Sequence, residues 1–260
     1  MPKVSDIYAA IDGFSPTFLK IQGDNVGLLV GDPDREVSRI MLTLDITPEV
    51  AAAAAEAGAQ LVVSHHPVIF HPLHTVTPLD YSGAAVTALI RGGVAAICMH
   101  TNLDAATGGV NDTLARVLEL QDVELLPDGG EGILRRGRLA RPMEPADFAA
   151  MVGQRLHCRG LRYQAGRRPV ETVALCGGAG GNHEDSAFVA AAGCDAYVTG
   201  EVKYSVSLEL AFAGITVVEA GHFYTENPVL DTLQGLLAQR FPGVTLLRSG
   251  HDDPMDYLTF

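Results

Sequence analysis

Residues 53–67 read AAAEAGAQLVVSHHP. The Ala-rich run predicts a helix that ends at Ala57-Gly58. Gln60–Ser64 then predicts a short buried strand, and Ser64-His65-His66-Pro67 stands where that strand stops. The same order recurs at 188–202, FVAAAGCDAYVTGEV, with Ala192-Gly193 ending a helix and Thr199-Gly200-Glu201 following the strand. A second pair, VAAICMHTNLD (94–104) and ITVVEAGHFYTE (215–226), also runs from an apolar strand into a histidine and then an acid. Two βα units of one design predict two related lobes.

Working outward, a capping Ser5 with apolar Ile7, Tyr8 and Ile11 predicts a short helix within residues 2–13. Strands are expected over Asp24–Gly31 and Arg39–Asp45, and Thr47-Pro48 opens the Ala-rich helix. Helices over Ser82–Arg91 and Asn111–Leu118 flank a strand over Val94–Met99. The second half repeats the alternation. Strands are expected over Arg135–Ala140, Val170–Cys176, Ala196–Thr199 and Ile215–Glu219, and helices over Pro145–Arg155, Asp185–Ala192 and Ser205–Ala213. A helix over 228–240 and strands over Thr245–Arg248 and Tyr257–Phe260 close the chain. Strands alternating with helices define an α/β fold. The expected architecture is two interlinked, pseudo-symmetric α/β lobes, each a mixed sheet flanked by helices. Residues 1–130 form the first lobe and 131–226 the second, with 227–260 returning to complete the first.

The 260 residues carry 18 basic and 31 acidic side chains, a formal net charge of −13. Such a surface repels phosphate backbones and disfavours nucleic acid, although a bound cation can reverse the field locally. The cysteines Cys98, Cys158, Cys176 and Cys194 form no C-x-x-C pair and lie mostly in apolar runs. They read as reduced thiols of a cytoplasmic protein. The opening residues hold no apolar signal segment, and no run approaches the ~18 apolar residues of a membrane span.

In open α/β sheets ligands collect beyond the carboxyl ends of strands. Histidine and carboxylate fall there three times. His65 and His66 follow one strand, with Pro67 turning the chain. His100 and Asp104 follow another; Asp104 either ligates a metal or caps the next helix, and His100 reads as a ligand, a donor to Asp104 or a base. His222 and Glu226 follow a third and share one face if that segment is helical. Each signal alone is weak. Together they supply enough donors for two cations, and the mixed nitrogen and oxygen set suits zinc, manganese, iron, cobalt or nickel.

The chain resembles the Nif-three-like family, whose members are often labelled GTP cyclohydrolase 1 type 2 homologues. The matching segments are Asp24-Asn25-Val26-Gly27-Leu28, Ser64-His65-His66-Pro67, His100-Thr101-Asn102-Leu103-Asp104, Gly109-Val110-Asn111-Asp112, Thr199-Gly200-Glu201-Val202-Lys203-Tyr204, and Gly221-His222 with Glu226. They span almost the whole chain in the family's order. The resemblance implies a dinuclear metal centre on His65, His66, Asp104, His222 and Glu226, with Glu226 as the bridge. It also implies a toroidal homohexamer, a trimer of dimers. Ser205 departs from the histidine that many relatives carry after Lys-Tyr. The family label implies hydrolysis of a nucleotide such as GTP, by attack of water at guanine C8 with formate release. In that reading His100 or Glu201 moves protons and Lys203 meets a phosphate. A two-metal phosphoesterase and a non-enzymatic metal-handling scaffold are the alternatives.

Overall fold

The computed structural model describes residues 1–258. The chain forms two compact units, Met1–Thr107 with Leu230–Asp252, and Gly108–Val229 with the residues from Asp253 onward.

The first unit holds β1 (Gly27–Val30), β2 (Arg39–Thr43), β3 (Leu61–Ser64), β4 (Ala95–Cys98) and β11 (Thr245–Arg248), with helices α1 (Val4–Phe14), α2 (Pro48–Glu56), α3 (Tyr81–Gly92), α4 (Thr101–Ala105) and α10 (Val229–Arg240). Its sheet has the order β1-β4-β3-β2-β11. All pairs are parallel except the edge strand β1, which runs antiparallel to β4. The central strands β3 and β4 are buried throughout, as strands covered on both faces must be. On one face Met41, Val62 and Ala96 pack against Ala51 and Ala54 of α2 and Ala85 and Leu89 of α3. The small side chains of α2 let helix and sheet approach closely. Thr47 caps α2 by accepting from the Val50 N–H at 3.1 Å, and Pro48 takes the first helical position, where no N–H is needed.

The second unit holds β5 (Gln121–Leu125), β6 (Arg135–Met143), β7 (Arg162–Gln164), β8 (Val170–Cys176), β9 (Ala196–Thr199) and β10 (Thr216–Glu219), with helices α5 (Val110–Val117), α6 (Pro145–Arg155), α7 (His183–Ala191), α8 (Tyr204–Ala213) and α9 (His222–Glu226). Its sheet has the order β5-β6-β8-β9-β10-β7. Here β8, β9 and β10 are parallel, and the flanking strands antiparallel. Phe148 and Val152 of α6 and Leu114 of α5 pack on Val173, Leu175, Val198 and Val218.

The order β1-β4-β3-β2 in one sheet repeats as β7-β10-β9-β8 in the other, with the edge strand antiparallel in both. The repeat reaches the turn level. Gly58 and Gly193, each closing an Ala-Gly helix end, both have φ of +67°, a left-handed conformation that a side chain would strain. Two related lobes, each with a mixed sheet, are the architecture observed.

Several details differ from expectation. The first strand starts at Gly27 rather than Asp24, because Asp24 leaves the sheet to bind His100 and Thr101. Ser5 lies inside α1; the helix is capped instead by Asp6, whose carboxylate accepts from the Lys3 N–H at 2.8 Å. Strands β5 and β7 were not expected. Tyr257 and Leu258 are irregular, and residues 259–260 of the strand expected there lie outside the described residues.

Candidate metal centre

In the first unit, parallel β2, β3 and β4 end on one edge and deliver polar side chains there. His65 and His66 follow β3, and His100 follows β4. The His65–His66 and His65–His100 ring centroids are 4.9 and 5.3 Å apart. One ligand atom from each of these three rings lies within 4.8 Å of the others. The short α4 carries Asp104 back over them, with its Oδ1 3.6 Å from His65 Nε2.

Each ring is held through Nδ1. His65 Nδ1 is 2.8 Å from the Met99 carbonyl oxygen. His66 Nδ1 is 2.7 Å from Asp45 Oδ1, two residues past β2. His100 Nδ1 is 2.9 Å from Asp24 Oδ1. A carbonyl or carboxylate oxygen has no proton to give, so Nδ1 must donate, and the neutral ring then carries its lone pair on Nε2. That is the tautomer a metal ligand needs, held by the outer oxygen partner that metal-bound histidines ordinarily have.

The two carboxylates are tuned by the same bonds. Burial alone would raise the Asp24 pKa, but hydrogen bonds from His100 and Thr101 outweigh it and hold the group well below its ordinary value. Burial also opposes ionisation of Asp45, and His66 with His251 outweighs it, so that its pKa too is lowered. Both groups are therefore anionic acceptors at neutral pH.

In the second unit α9 places His222 and Glu226 one turn apart. His222 Nε2 is 3.1 Å from Glu226 Oε2, and Glu226 is only 4% exposed. His222 Nδ1 is 2.7 Å from Glu201 Oε1, so this ring too is gripped from its outer side. The loop after β8 passes beside the pair. A Cβ on Gly178 would stand 2.1 Å from Glu226 Oε1 and 3.0 Å from His222 Nε2. Gly178 also has φ of +64°, and its N–H donates to Thr225 Oγ1 at 3.0 Å. Only glycine leaves room there for the carboxylate and the Nε2 atom.

The first unit thus brings His65, His66, His100 and Asp104 together, and the second brings together His222, Glu226 and Glu201. The donor set, the tautomers and the clearance at Gly178 all fit cations. Glu201 stands where it orients His222. Lys203 is exposed at the N-cap of α8, its N–H bonded to the Gly181 carbonyl at 3.1 Å. The sequence reading missed Asp45, Asp24 and Gly178 as site residues. The signal for Asp45 was topological: it sits just past a strand parallel to the one that delivers His66. Asp24 stands in the Asp24–Leu28 segment of the resemblance, but nothing local ties it to His100, and Gly178 carried no signal beyond its Gly-rich turn.

Paired mixed sheets with histidine and carboxylate at their strand ends define a class of two-lobed α/β proteins able to bind metal. The family model for Duf34/NIF3 (NGG1p interacting factor 3) matches residues 2–254, and the chain belongs to that family. It is 33% identical over 254 residues to the GTP cyclohydrolase 1 type 2 homolog of Lactococcus lactis, covering 95% of this chain and 96% of that one. A Streptomyces coelicolor protein of the same description is 35% identical over 240 residues, with 88% and 83% covered. The crystal structure of a Bacillus cereus protein related to NIF3 superposes with a TM-score of 0.90 at 23% identity, covering 99% of both chains, and shows the shared fold. No helix among the described residues is long and apolar enough to cross a membrane.

Proposed function

We propose that the chain holds two divalent transition-metal ions on His65, His66, Asp104, His222 and Glu226, and acts as a metal-dependent hydrolase on a guanine nucleotide. The observation that carries this reading is the shared tautomer: His65, His66 and His222 each donate Nδ1–H to an oxygen and so direct the Nε2 lone pair away from it. Ordinary surface histidines would rotate freely; here three ligand candidates and His100 are locked the same way.

A pair of cations at such a site supplies an activated water near neutral pH and compensates developing negative charge. The protein's part is positional. Asp45 and Glu201 hold the rings of His66 and His222, and Gly178 keeps the space beside Glu226 open. His100, fixed by Asp24, is the group proposed to move a proton at its Nε2. Lys203 is proposed to meet a substrate phosphate.

The relatives are described as GTP cyclohydrolase 1 type 2 homologs, which supports GTP as the substrate class; the reaction we propose is ring opening with formate release. Incubation of metal-loaded protein with GTP distinguishes the outcomes. Formate supports the cyclohydrolase reading, inorganic phosphate a phosphoesterase, and neither product a metal-handling scaffold. The exposed Tyr204, Leu208 and Phe212, spaced four apart along α8, support self-association, and we propose the family's hexamer. Cys98, Cys158, Cys176 and Cys194 form no disulfide, which supports the cytoplasmic location we propose.

A further inference from the structure

Asp45 has two carboxylate oxygens, and His66 uses one of them. The other is taken by His251, whose Nε2 lies 3.1 Å from Asp45 Oδ2. These residues are 206 positions apart, and the fold joins them for a simple reason. Strand β11 lies beside β2 and parallel to it, from Thr245 opposite Arg39 to Arg248 opposite Leu42. Parallel neighbours finish on the same sheet edge. Asp45 comes two residues after β2, and His251 three residues after β11.

The connection is built rather than incidental. The Ser249 N–H donates to the Leu42 carbonyl at 3.0 Å. Ser249 Oγ donates to Thr43 Oγ1 at 2.8 Å, and Thr43 Oγ1 in turn donates to the Asp45 carbonyl at 2.8 Å. The C-terminal segment is thereby stitched to the turn that carries Asp45. The His251 ring is largely covered, with its side chain 17% exposed.

A carboxylate held by one oxygen still pivots about its Cβ–Cγ bond. Held by both, it presents a fixed acceptor direction. We infer that His251 is a positioning residue for the metal site: by fixing the Asp45 carboxylate it sets the tautomer and ring plane of His66. The inference rests on the proposed role of His66 as a metal ligand, and extends the apparatus to the segment after β11.

The test compares wild type with His251→Ala and His251→Gln, since the glutamine amide can also donate to Asp45. Zinc affinity is measured by competition with a chromophoric chelator. The ring nitrogens of His66 are observed by long-range proton–nitrogen NMR on metal-free protein at about pH 8, where imidazole is neutral. His251→Ala is expected to weaken zinc binding by up to ~10-fold, the lower end of the loss that removing a ligand's outer partner such as Asp45 brings, and to mix the two His66 tautomers. His251→Gln is expected to restore both. Unchanged affinity and an unchanged tautomer in His251→Ala, or a glutamine variant no better than alanine, overturn the inference. A wild type that binds no zinc instead refutes the metal reading, and the tautomer comparison on metal-free protein still decides the role of His251.

Discussion

His66 Nδ1 and Asp45 Oδ1 stand 2.7 Å apart, joining the second residue after β3 to the turn after β2. This contact determines which nitrogen of His66 can meet a cation. Asp45→Ala removes the acceptor and lets the ring adopt either tautomer. Zinc affinity measured by calorimetry is expected to fall ~10- to 100-fold. Affinity within twofold of wild type would show that Asp45 does not orient the ligand.

Gly178 offers a second test, in the other unit. In Gly178→Ala the new methyl meets Glu226 Oε1 at 2.1 Å, so the carboxylate must move or the loop must shift. The left-handed backbone adds a strain of about 1 kcal/mol. Thermal denaturation should show a lower Tm, and metal titration a loss of affinity exceeding that of an alanine placed at Gly193, which has open space around it and φ of +67°. Equal losses in the two variants would reduce the Gly178 effect to backbone strain alone.

Asp185 gives a pH-dependent prediction independent of metal. Burial, reinforced by Glu131, Asp128 and Glu184, pushes its carboxyl pKa up to about 6 against the opposing bond from Asn182. A folded pKa above the unfolded one means that the native state holds the proton more tightly. The stability this provides is complete below about pH 4 and is lost as pH rises towards 6. Asp185→Asn, which stays neutral, should therefore stabilise the protein at pH 7.5 by roughly 1–2 kcal/mol after allowing for solvent screening, with the gain vanishing near pH 4. Denaturant titrations at the two pH values measure it. A variant equally destabilised at both would identify the Asn182 bond as dominant.

Much of the fold was legible because its signals were local. Val170–Cys176, Ala196–Thr199 and Thr245–Arg248 are unbroken apolar runs or end at clear breakers, and their observed bounds match the expected ones. Pro145 marks the start of α6. By contrast, β5 is exposed along its length and carries Asp122 at φ of +52°, so neither burial pattern nor propensity announces it. β7 is three residues long, and only its pairing with β10 makes it a strand. At the site, the spacing of His222 and Glu226 was readable once the segment was taken as helical. The partners that lock the rings were not. Asp24 reaches His100 across 76 positions and Asp45 reaches His66 across 21, and only the order of strands in the sheet brings them together.

A fourth prediction concerns Glu201. In Glu201→Ala, His222 loses the acceptor 2.7 Å from its Nδ1, but Glu201 is itself well exposed. Metal affinity should drop while Tm of the metal-free protein stays within about 2 °C, because exposed pairs contribute little to folding. A large fall in Tm would make the contact structural instead.

The central claim is that this chain holds a pair of cations on its histidines and carboxylates. Elemental analysis tests it most directly, on wild type and on the double variant His65→Ala/His66→Ala, after saturation with zinc or manganese and exhaustive dialysis. The account predicts about two metal equivalents per wild-type chain and a clear loss in the variant. A wild type that emerges metal-free, or a variant that keeps the full complement, contradicts it.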